Sequence, residues 1–84
     1  MEEKQIGAVD HFFDKISVSM IRLTDVLKVG EKIRIKAKAG DFIQAVSSMQ
    51  IDRVPAQEGK AGDLISLKVD QKVHKGDAVY KVSE

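Results

Sequence analysis

Ten valines and eight isoleucines stand against four leucines among the 36 apolar residues of this 84-residue chain. Branching at Cβ restricts χ1 and suits a pleated, half-buried surface better than a helix, so half of the apolar supply is already biased toward strands. The seven alanines are scattered and never fall at helical spacing. A chain built this way is expected to fold as β-structure.

Periodicity agrees. From Glu31 to Lys38, Ile33, Ile35 and Ala37 share one parity while Lys32, Arg34, Lys36 and Lys38 share the other. A period of two predicts a strand with one buried face. The stretch Ile16 to Thr24 changes phase midway, with Ile16, Val18 and Met20 on one parity and Ile21 and Leu23 on the other. A bulge near Met20-Ile21 would return both halves to the core. Phe42 to Ile51 reads as a second bulged strand, since Ile43 and Ala45 are out of step with Val46. Gln5 to Phe13, Leu64 to Val69 and Ala78 to Val82 complete the set, with a short segment around Pro55 at an edge or bend.

Gly30-Glu31, Gly40-Asp41, Gly62-Asp63 and Gly76-Asp77 each precede a predicted strand. Glycine supplies positive φ for a tight turn, and the acid can accept from nearby backbone amides. The echo between Lys28-Val29-Gly30-Glu31 and His74-Lys75-Gly76-Asp77 reads as repeated turn chemistry, because the flanking strands do not match. About six short strands in one small domain predict a closed or nearly closed β-barrel, and closure also removes the exposed edges of so Val- and Ile-rich a chain.

Composition excludes several functions. The chain has no cysteine, so disulfides, thiol catalysis and cysteine metal sites are out. Fourteen basic residues against thirteen acidic ones give a net charge of +1, which excludes a histone-like arm. The longest apolar run, counting glycine, is Ile6 to Val9, far short of a membrane span, so a cytoplasmic protein is expected. His11 and His74 are isolated, with no His-x-x-His or Glu-x-x-His spacing, so neither metal nor cofactor is expected. His11 is expected to be partly buried beside Phe12-Phe13. Nothing resembles a nucleophile elbow, and so small a barrel has little room for a catalytic pocket. The chain is not expected to be an enzyme.

The series Ile6-Gly7-x-Val9, Leu27-Lys28-Val29-Gly30-Glu31-Lys32-Ile33-x-Ile35 and Val46-x-Ser48-Met49-Gln50 is followed by Glu58-Gly59-x-Ala61-Gly62-Asp63-x-Ile65-x-Leu67 and Lys75-Gly76-Asp77-x-Val79. In order and spacing it resembles domain II of the translational GTPases, the β-barrel that follows the G domain in elongation factor Tu. Small stand-alone elongation-factor-like proteins share the pattern, and a similar barrel closes some collagenase-like peptidases of the U32 family. The likeness covers residues 5 to 82 and implies an all-β, closed barrel of six to seven antiparallel strands, one domain over residues 1–84. No G-x-x-x-x-G-K-[ST] loop occurs, so GTP binding is not implied. The strand that in the elongation factor helps hold the aminoacylated tRNA end carries charged residues; here Ser47, Ser48 and Gln50 stand in its place.

Function then follows as a binding module. The implied partner is RNA of the translation machinery, ribosomal RNA or tRNA; the alternative is another protein, for example as an accessory barrel to a U32-like peptidase. Lys28, Lys32, Arg34, Lys36 and Lys38 are the candidate RNA contacts. Alternate strand side chains lie about 6.6 Å apart, similar to phosphate repeats along a nucleic-acid backbone. The competing reading is a solvated strand face that discourages edge pairing. Phe12 and Phe13 are the candidate protein-docking residues: adjacent strand residues point to opposite faces, so one of the two lies outside the barrel. An acidic start, with Glu2, Glu3, Asp10 and Asp14 against Lys4, and this basic middle make a dipolar surface suited to orienting a partner.

Overall fold

The computed structural model describes residues 2–38 and 40–83, and among them there is no helix. Eight strands form one antiparallel sheet: β1 (Glu2–Phe13), β2 (Val18–Leu23), β4 (Lys32–Ala37), β5 (Gly40–Ala45), β6 (Met49–Ile51), β7 (Val54–Ala56), β9 (Leu64–Lys68) and β10 (Ala78–Ser83). Their spatial order is β5-β4-β10-β1-β2-β9-β6-β7, and the short strands β3 (Leu27–Lys28) and β8 (Glu58–Gly59) pair separately. The all-β expectation holds, but the sheet is not closed by strand pairing: β5 and β7 are its two ends.

Where pairing stops, a side chain takes over. Gln44, on the inner face of β5 and only 8% exposed, donates from Nε2 to the Lys68 carbonyl at 2.9 Å. Its Oε1 accepts from the Asp70 amide, also at 2.9 Å. The primary amide thereby acts like a peptide group, tying the β5 edge to the segment just beyond β9 without a ladder. This explains the parity puzzle in Phe42–Ile51. Phe42, Gln44 and Val46 all face inward and Ile43 faces out, so β5 needs no bulge. The expected long strand is instead two strands, because Val46 is held by the Gly30–Glu31 turn and residues 46–48 cross over to β6.

The expected bulge in β2 is also absent. Ser19, Ile21 and Leu23 are buried in a single phase, leaving Val18 and Met20 on the other face. The extra residue lies across the ladder, in β1: Val9 pairs with Ile21 and His11 with Met20, so Asp10 is unopposed. A second shift, between Gln5 and Gly7, separates β1 from β10 register. Two bulges in one 12-residue strand bend it around the core. Gly7 sits where the backbones approach, and a Cβ there would meet the Arg22 carbonyl oxygen at 2.5 Å.

Three glycine turns do more than reverse the chain. In Lys28–Glu31, Lys60–Asp63 and His74–Asp77, the third residue is a glycine with φ of 98, 92 and 95°. The acid's side chain accepts from the first residue's amide at 2.7, 2.9 and 2.8 Å. Each turn then grips one buried residue by two main-chain bonds, the glycine N–H donating to its carbonyl and its own N–H donating to the acid's carbonyl. The gripped residues are Val46, Leu23 and Val9. The residue two places after each acid, Ile33, Ile65 or Val79, is fully buried. The sequence echo is therefore one structural device used three times. Gly40-Asp41 is different: Gly40 pairs with Ala37 in the β4–β5 hairpin.

Candidate functional site

The outer face of β2 should be polar in a solvated sheet, yet it carries Val18 and Met20. Across the ladders, Met20 pairs with Ser66 on β9, which pairs with Gln50 on β6. At the ends, Phe13 closes the β1–β2 hairpin opposite Val18, and Ile51 and Leu64 flank the far side. These residues line a groove of about 620 Å³. Ile16, at the hairpin tip, is 61% exposed and Phe13 41% exposed. Single exposed apolar residues are ordinary; contiguous ones rimmed by polar groups mark an interaction surface. The rim here is supplied by Asp52, Arg53 and Asp63.

Both hairpins that border the groove have left-handed residues that are not glycine. Ser17 has φ of 55°, and Asp52 and Arg53 have φ of 55 and 65°. Two successive positive φ values make the β6–β7 loop a type I′ turn, which ordinarily prefers Asn-Gly. Each such residue costs on the order of 1 kcal/mol, and conformations of this kind collect at binding surfaces.

The predicted residues divide. Of the docking pair, Phe13 points out into the groove while Phe12 packs against the core. His11 is exposed and its ring lies 4.5 Å from that of Phe13, correcting the expectation of partial burial. The basic row is not one row. Lys28 belongs to β3, Lys38 to a turn, and Lys32, Arg34 and Lys36 to β4. Arg34 Nε lies 2.8 Å from a Glu3 carboxylate oxygen, and Lys36 Nζ stands 4.5 Å from the centre of the Tyr80 ring. Parity alone does not reveal the groove: a bulge in β2 would bury Val18 and Met20, whereas the bulge in β1 leaves them outside.

Among the described residues no cluster of His, Asp or Glu could hold a metal ion, and no helix is long and apolar enough to cross a membrane. Asp25 is held below the usual carboxylate range by Lys4, whose Nζ is 2.6 Å away, and by the Val26 amide at 2.7 Å.

No family model matches the sequence. Over 81 residues, 95% of this chain, it is 37% identical to a Methanocaldococcus jannaschii protein named as an uncharacterized protease. The match spans only 20% of that protein's length. Two solved structures of the C-terminal domain of a putative U32 peptidase from Geobacillus thermoleovorans superpose closely. One has a TM-score of 0.89 at 10% identity, covering 95% of this chain and 93% of that domain. The other, its selenomethionine variant, has a TM-score of 0.86 at 9% identity, covering 90% and 96%. The fold is that of these C-terminal domains. The resemblance to elongation factor domain II is thereby corrected, and with it the assignment to translation.

Proposed function

We propose that this chain is a non-catalytic accessory domain of a U32-type peptidase, binding the peptidase's catalytic region through the groove at Phe13, Ile16 and Met20. The observation that carries this reading is the 37% identity to a protease over 95% of the chain. The exposed apolar groove supports it, because a module of this kind needs one unsatisfied face toward its partner. In this role the sheet acts as a barrel shut by Gln44, working in the cytoplasm, and the partner is protein.

The test is association of the purified chain with the catalytic region of a U32-type peptidase from the same organism, measured after nuclease treatment. Ile16→Asp places a charge in the groove and should weaken association at least about tenfold, the scale of one well-buried interface residue. Unchanged affinity in Ile16→Asp and Phe13→Ser would move the interface elsewhere. Absence of association with the wild-type chain would reject the reading.

A further inference from the structure

The walls of the groove are held unequally. Phe13, Ile16, Val18 and Met20 come from the β1–β2 hairpin, whose ladder runs from Gly7↔Leu23 to Phe13↔Val18. Beside it, β2 pairs with β9 from Val18↔Lys68 to Arg22↔Leu64. The opposite wall is Gln50, Ile51, Asp52 and Arg53, from the β6–β7 hairpin. Among the described residues that hairpin pairs with β9 at Gln50↔Ser66 and Ile51↔Ile65 alone, and β7 is an end of the sheet.

The roots of this hairpin, by contrast, are pinned. Before β6, Val46 exchanges main-chain bonds of 2.8 Å with Gly30 and Glu31, and Met49 is buried. After β7, Ala56 packs against the core and the Gln57 carbonyl accepts from the Val29 amide at 2.9 Å. Glu58 and Gly59 then pair with Lys28 and Leu27. Between these pins, residues 50–55 form an arm whose Ile51 packs inward while Val54 is 61% exposed. The turn at the end of the arm works against it. Asp52 and Arg53 both adopt the left-handed conformation that a type I′ turn demands, at φ of 55 and 65°. Aspartate visits this region through its short polar side chain, but arginine has no such compensation. Parting the arm's two strands releases that strain, and the pinned roots stop the opening from spreading.

We infer that residues 50–55 are a flap over the groove: in the free chain they open locally from β9 while the rest of the sheet stays paired, and the docked partner holds them shut. As to its partner, the flap rests on the peptidase reading. Because a share of the free chains lacks this wall, docking carries the cost of forming it. A less strained turn therefore tightens docking without touching the apolar lining.

Amide hydrogen exchange of the full chain, read by NMR, tests the flap without any partner. Ile51 and Val54 flank the two-residue turn and bond to each other, whereas Ile21 lies on β2, between β1 and β9. After correction for intrinsic rates, the Ile51 and Val54 amides should exchange at least about a hundredfold faster than that of Ile21. Their rates should not respond to low urea, since a local opening exposes little surface, while the Ile21 rate rises. Arg53→Gly and Arg53→Ala remove the same guanidinium, but only glycine relieves the strained φ. Exchange at Ile51 and Val54 should be at least about threefold slower in Arg53→Gly than in Arg53→Ala. The inference is overturned if the two amides share the rate and urea response of Ile21, or if the two variants exchange alike. With the catalytic region of a U32-type peptidase added, the same amides should become protected, and Arg53→Gly should associate at least about threefold more tightly than Arg53→Ala. Association that leaves these amides unprotected would also overturn it. If the wild-type chain does not associate at all, the peptidase reading fails, and exchange in the free chain still decides the flap.

Discussion

Removing the Gln44 amide tests how the sheet is shut. In Gln44→Leu the side chain keeps its approximate volume and inward position but loses both bonds across the seam, to Lys68 and Asp70. Each neutral hydrogen bond contributes about 1 kcal/mol net, and a partly buried carbonyl and amide left unpaired cost up to about 1 kcal/mol more between them. Added apolar burial from leucine offsets only a fraction, since Gln44 is already 8% exposed and its methylenes are already inside. The expected loss is about 2–3 kcal/mol, which for a chain of this size lowers Tm by roughly 10–18 °C. Urea unfolding followed by circular dichroism reads the loss as a shift in midpoint at constant m-value. Gln44→Glu is the sharper control. Its carboxylate still accepts from Asp70 but faces the Lys68 carbonyl, so the variant should be least stable at neutral pH. Burial and the facing carbonyl raise that carboxyl's pKa, so stability should recover as pH falls toward about 4, the protonated acid donating to Lys68 again. A loss below about 0.5 kcal/mol for Gln44→Leu, within the ordinary scatter of surface substitutions, would mean that the seam is held by something else.

Gly7→Ala should cost about 2–3 kcal/mol in the same assay, because the new methyl would overlap the Arg22 carbonyl and β1 must shift against β2. Ser19 is 0% exposed with no partner for its hydroxyl, so Ser19→Ala should be neutral or stabilise by up to about 1 kcal/mol, opposite to most core changes. Asp25 should titrate below a free aspartate by NMR, and Lys4→Met should move it back up. Because the folded-state value is lowered, this group's contribution is fully present above about pH 4 and disappears as pH falls through the folded value.

The inward face of β4 was legible residue by residue, because Ile33 and Ile35 alternate with long cations that no core would accept. Three of the four glycine-acid turns were equally legible, since positive φ and a local carboxylate acceptor are properties of the turn itself, while Gly40-Asp41 looks the same in sequence and, among the described residues, lacks the carboxylate bond. Only the tertiary structure decided the rest. An apolar residue on a strand does not announce which face it takes, so Val18 and Met20 were assigned inward when a bulge at Asp10, on the neighbouring strand, leaves them lining a groove. A polar residue is read as exposed unless its partners are known. Gln44 is buried because two backbone groups, 24 and 26 residues further on, meet its amide across the seam. Periodicity is a property of one strand; groove, seam and open edge exist only between strands, and their positions follow from pairing that no single segment encodes.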